Sequence, residues 1–167
     1  MKASSTPPTT AEQPSPTMVE LDLIKSYYGT AITKRSKVPL MNHITEGLDI
    51  LDMIAATEIA KRAYCIHPIV QADVDLLKNI HRMRDVDGHV VALAMEYRRV
   101  ANAYLSPRTI KSIDEIELSP LEDVNDMLRA DKLQNEKDFR KYHLGTHPRS
   151  KELEEYFLNW FKRLDLA

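Results

Sequence analysis

The chain has 167 residues, 43% hydrophobic and 29% charged, a soluble globular balance with enough length for one domain and its core. Four scattered glycines, Gly29, Gly47, Gly88 and Gly145, cannot build a glycine-rich phosphate loop or a GxGxxG turn, which excludes those two modes of nucleotide binding. A net charge of −2 and a pI of about 6.3 argue against a nucleic-acid polymer as partner, and no apolar run approaches the roughly 18 residues of a membrane span. Cys65 is the single cysteine, so neither an intrachain disulfide nor a zinc ribbon is available.

Residues 1–17 contain eleven Ser, Thr or Pro and too little apolar surface to offset ordering, so a disordered tail is expected there. Residues 18–167 are expected to form one all-α domain, a bundle of six to eight helices, because 3.6-residue periodicity dominates. Thr17 is an expected N-cap for a helix over 18–33. A second helix over 41–56 carries Met41, Ile44, Leu48, Leu51 and Ile54 on one stripe. Pro68 is expected to separate helices at 58–66 and 69–83, since proline fits a first turn and not an interior. An amphipathic helix follows over 88–105, then a loop with one turn over 107–120. Ser119 and Glu122 read as a capping box opening a helix to about 142. Ser150 is expected to cap a last helix, 151–164, with an aromatic stripe of Tyr156, Phe157, Trp160 and Phe161.

Six histidines occur, and two have apolar surroundings: His43 in LMNHIT and His67 in YCIHPIV. A buried imidazole needs polar partners or a metal. Asp131, in MLRADKLQN, places a carboxylate on an otherwise apolar stripe. Two histidines and an aspartate from three helices could converge on one cation and leave positions open for water and substrate.

Three segments carry a family resemblance. Lys34 to His43 (KRSKVPLMNH) is similar to the RKSG-x-P-x-x-x-H segment of the hydrolase domain in RelA/SpoT-type proteins. Ala63 to Ala72 (AYCIHPIVQA) resembles their LLHDVVED segment, and Leu128 to Asn135 (LRADKLQN) their LADRLHN segment. That family belongs to the HD superfamily of metal-dependent phosphohydrolases, which cleave guanosine tetraphosphate (ppGpp). The resemblance implies an HD-domain-like bundle with His43, His67 and Asp131 as metal ligands. It further implies nucleotide contacts from Lys34, Arg35 and Ser36 and from Asn135.

The chain departs from that pattern at three places. Pro68 stands where the family has its HD aspartate, and Gln71-Ala72 where it has a Glu-Asp pair. Proline cannot ligate a metal, and neither glutamine nor alanine can act as a general base. Asp73, Glu46 and Glu96 are the candidate carboxylates to stand in. In the loop YHLGTHPRS, Arg149 is a candidate anion clamp.

Three functions compete at this stage. The first is a metal-dependent hydrolase of a guanosine polyphosphate or nucleoside triphosphate, with Mn²⁺ preferred and Fe, Co or Zn also suited to two imidazoles and a carboxylate. The second is a catalytically degenerate module that binds or sequesters a nucleotide. The third is an interaction protein that uses the same fold, with a homo-oligomer contact through the C-terminal aromatic helix. A cytoplasmic setting, in a bacterium or a phage-infected cell, is expected from the single cysteine and the lack of an apolar leader.

Overall fold

A computed structural model describes residues 19–167; the expected tail and the Thr17 cap lie outside the described residues. These residues form seven α-helices, in the order α1 (Val19–Tyr28), α2 (Met41–Met53), α3 (Glu58–Gln71), α4 (Asp73–Asn79), α5 (Gly88–Ala103), α6 (Glu122–Tyr142) and α7 (Ser150–Arg163). Two 3₁₀ turns, Ile80–Asp85 and Ile113–Glu115, complete it, and the described residues contain no β-strand. None of these helices is long and apolar enough to cross a membrane.

The architecture is organised around α3. Eight of its residues are buried, from Ala60 to Val70, on every side of the helix. A helix apolar all round belongs in the centre of a bundle, and α3 packs against α1, α2, α4, α5 and α6. Thr57 caps it, its Oγ1 accepting from the Ala60 N–H at 3.2 Å and donating to Asp123 at 2.6 Å, which ties the start of α3 to α6. Arg62 reaches α1 and pairs at 2.8 Å with the buried Glu20.

Pro68 does not break this helix. Instead, α3 runs through it to Gln71, and the break comes at Ala72, whose extended ψ of 144° starts α4. The proline is tolerated because the carbonyl it leaves without a helical donor, that of Tyr64, accepts from the His67 side chain at 2.6 Å. The first helix also ends earlier than expected. Tyr28 is followed by Gly29 at φ 52°, a left-handed stop that suits glycine. Residues 31–40 then form a loop closed by an antiparallel bridge between Ile32 and Pro39.

Two expected caps take other forms. α6 opens at Glu122 without a side-chain cap, while Ser119 is held by the Asn125 side chain and donates to Glu96 at 2.8 Å. The capping box occurs instead at Ser112 and Glu115, in the 3₁₀ turn of the expected loop. Ser150 is the first residue of α7, and its Oγ accepts from the Gly145 N–H at 2.8 Å. The aromatic stripe of α7 faces inward at Phe157 and Trp160, both buried.

Gly47 decides how close α2 and α3 come. A Cβ there would lie 2.1 Å from the Tyr64 hydroxyl and 2.3 Å from two ring carbons. That ring cannot yield, because Tyr64 is fully buried. Gly47→Ala is therefore expected to destabilise the protein by about 1–3 kcal/mol through overpacking. Urea denaturation reads this directly, and an unchanged midpoint would contradict the close contact.

Candidate metal centre

Three helices each deliver one group to a single point. His43 comes from the first turn of α2, His67 from the buried middle of α3 and Asp131 from the middle of α6. The two Nε2 atoms stand 3.1 Å apart. Asp131 Oδ1 lies 3.4 Å from His43 Nε2 and 3.8 Å from His67 Nε2. The side chains of His67 and Asp131 are 1% and 5% exposed, and that of His43 19%, so one edge of the triangle faces solvent.

The other ring nitrogens define what this triangle is. His43 Nδ1 lies 2.6 Å from the Gln134 side-chain oxygen, and His67 Nδ1 lies 2.6 Å from the Tyr64 backbone oxygen. Both oxygens only accept, so both Nδ1 atoms carry the proton. Both Nε2 atoms then present lone pairs, toward each other and toward a carboxylate oxygen. With both rings neutral, no proton lies between the two Nε2 atoms or between them and Asp131 Oδ1. A cation with ligands at about 2.0–2.2 Å would sit between all three and satisfy them at once. His43, His67 and Asp131 could hold a metal ion.

Surrounding groups fix this arrangement. The Gln134 amide nitrogen donates to Asp138 at 2.8 Å and to Glu46 at 3.1 Å. Carboxylates accept only, so these two contacts turn the amide oxygen toward His43. Lys137 bonds to Glu46 and Asp138 and holds both carboxylates in place. The Tyr64 hydroxyl donates to the His43 backbone oxygen at 3.2 Å, so Tyr64 touches both histidines.

Asp131 is divided between its two oxygens. Oδ2 accepts from Lys132 Nζ at 2.7 Å, while Oδ1 faces the histidines and also accepts from Asn135 at 2.8 Å. Only Oδ1 is therefore free to ligate. Lys132 is 4% exposed, and its ammonium lies 5.1 Å from the Trp160 ring centre and 5.5 Å from that of Tyr156. Burial alone would raise the Asp131 carboxyl, but the Lys132 charge outweighs it and holds that carboxyl well below the usual carboxylate range. Burial, with His43 beside it, pushes His67 down to about 3. The Tyr97 ring lies 4.7 Å from that of His67, and its buried hydroxyl is directed to the Asp131 carboxylate.

The triangle forms the floor of a cleft of about 350 Å³, within the size range of small-molecule sites. Asn135, Gln134, Asp138, Lys132, Pro68 and Gln71 line it, with Thr33, Val38 and Pro39 from the 31–40 loop. A larger groove, about 590 Å³, runs along α6 and α7, but its lining of Phe139, Phe157, Phe161 and surface charges contains no histidine.

The structure places the sequence candidates unevenly. His43, His67, Asp131 and Asn135 come together, and Glu46 joins them through Gln134. Lys34 and Arg35 lie exposed on the 31–40 loop, and Ser36 bonds to Thr33. Asp73 is exposed and paired with Arg98, in a neighbouring hollow. Glu96 is engaged by Arg99 and Ser119, and Arg149 by Glu152 and Ser106. Four residues of the centre are not evident from sequence: Tyr64, Lys132, Gln134 and Asp138. Gln134 and Asp138 follow Asp131 by three and seven residues, a spacing that sets them on one helix face and could have signalled them.

Comparison with known proteins finds no matching family model, curated protein or solved structure.

The depressed His67 has a consequence for stability. Its ordinary value is 6.5, and in the fold it lies near 3. Between those values the unfolded chain binds a proton that the folded chain does not, so stability falls as the pH drops. The metal-free protein is expected to lose up to about 1.4 kcal/mol per pH unit from this group between pH 6.5 and 4. Urea unfolding across that window should show a shallower slope for His67→Gln; identical slopes would remove His67 as the cause.

Proposed function

We propose that the chain binds a divalent metal ion through His43, His67 and Asp131 and is a metal-dependent phosphohydrolase acting on a nucleotide, a guanosine polyphosphate or a nucleoside triphosphate. One observation carries the metal: two imidazole Nε2 atoms and a carboxylate oxygen from three helices meet within 3.8 Å of one another. Three protein ligands leave positions open, which is what a catalytic ion requires. The resemblance of the three sequence segments to the RelA/SpoT-type hydrolase domain supports the choice of substrate. Two imidazoles and one carboxylate suit Mn, and also Fe, Co or Zn.

A metal in this place supplies a polarised phosphoryl oxygen and a bound water of lowered pKa. The chain's own groups do the rest. The Lys132 ammonium cancels the Asp131 charge, so the centre carries no net negative charge against a phosphate. Asn135 and Lys132 line the cleft beside the triangle and can donate to a phosphate oxygen. Asp138, also in the lining, is a carboxylate near enough through Gln134 to share the centre's proton network. Lys34 and Arg35 remain candidates for phosphate or base at the rim.

A second reading is a nucleotide-binding module without hydrolysis. Pro68 and Gln71, which stand where the resembled family carries carboxylates, both line the cleft and offer no proton acceptor strong enough for general base work.

The test is incubation with Mn²⁺ and ppGpp or nucleoside triphosphates, with Asp131→Asn as control. Metal-dependent turnover that falls at least a hundredfold in the variant is expected. Binding in calorimetry without turnover would establish the second reading. Absence of both metal and nucleotide binding would dismiss the two together.

A further inference from the structure

In an α-helix the carbonyl of residue i accepts from the N–H of residue i+4. For Tyr64 that residue is Pro68, which has no N–H and whose ring presses against the carbonyl four residues back. The carbonyl thus loses its helical donor. The His67 side chain takes it, with Nδ1 at 2.6 Å. His67 is 1% exposed, so water cannot compete for that bond. Two tilted rings also flank the imidazole, Tyr64 at 4.6 Å and Tyr97 at 4.7 Å between ring centres.

We propose that Pro68 is a positioning residue: by removing the helical donor to the Tyr64 carbonyl, it dedicates that carbonyl to His67 Nδ1–H and so fixes the imidazole with its Nε2 lone pair turned to His43 and Asp131. The role rests on the metal reading above for its purpose, but not for its geometry. It also explains a proline inside the last turn of α3, where an N–H would ordinarily bond to the carbonyl four residues back. Any other residue at 68 restores a competing donor. The Tyr64 carbonyl would then be shared, and the Nδ1–H form of His67 would lose its advantage over the Nε2–H form, which cannot ligate through Nε2.

The experiment measures the ring nitrogens of ¹⁵N-histidine-labelled protein by NMR, without metal and at neutral pH, alongside Mn²⁺ affinity by calorimetry. Wild-type His67 is expected to show a protonated Nδ1 and a bare Nε2. Pro68→Ala is expected to give a mixture of the two forms and a 10- to 100-fold loss of Mn²⁺ affinity, with its helical circular dichroism retained. A wild-type His67 protonated at Nε2 overturns the proposal whether or not the variant folds. So does a Pro68→Ala protein with the wild-type ring signals. If the wild type binds no Mn²⁺, the metal reading fails, and the ring signals of the two metal-free proteins still decide the role of Pro68.

Discussion

Three hydrogen-bond acceptors facing one another in a buried space are an unfavourable arrangement. A buried acceptor without a donor costs about 1–3 kcal/mol, and of the three only Asp131 Oδ1 has one, from Asn135. Such a cluster persists only if surrounding groups hold each member in place. The described structure shows that support on every side. Gln134 orients His43, the Tyr64 carbonyl orients His67, and Lys132 with Asn135 orients Asp131. Glu46 and Asp138 in turn fix Gln134. The placement of α3 at the middle of the bundle follows from the same need, because it excludes water from the inner edge of the triangle.

The charges are arranged with equal economy. A carboxylate taken out of water alone would take up a proton. Asp131 does not, because the Lys132 ammonium accompanies it into the interior, and that ammonium is cushioned by the faces of Tyr156 and Trp160. The exposed pair of Asp73 and Arg98 is of another kind. Solvent screens it, and pairs of that sort contribute about 0–1 kcal/mol. A divalent ion added to a neutral Asp131–Lys132 pair would leave the centre strongly positive, which favours anionic ligands on simple Coulombic grounds.

The helical bundle was legible in the sequence because its apolar residues repeat at helical spacing, and α2, α5 and α7 appear within two or three residues of where that periodicity puts them. The convergence of His43, His67 and Asp131 was legible too, since all three are polar residues in apolar surroundings. Local rules failed where a distant partner intervened. Pro68 reads as a helix breaker unless it is known that His67 replaces the missing donor. Ser119 reads as a cap, yet Asn125 and Glu96 claim it. Gln134 and Lys132 were hidden for a different reason: an amide or ammonium in a charged helical segment looks like solvated surface, and only the packing of α2 and α7 over α6 buries them. Pro68 is the sharpest case, for in sequence it marks the loss of a carboxylate, while in the fold it touches the geometry of the neighbouring histidine.

The contact between Gly47 and Tyr64 limits how this protein can change over time. The absent side chain at 47 makes room for a ring that braces His43 through its hydroxyl and receives His67 through its carbonyl. A larger residue at 47 cannot be accommodated by trimming the hydroxyl alone, because the ring carbons are equally close. The ring itself must shrink, and with it goes the brace on His43. Positions 47 and 64 therefore share one space, and a side chain added at the first is felt at both histidines through the second.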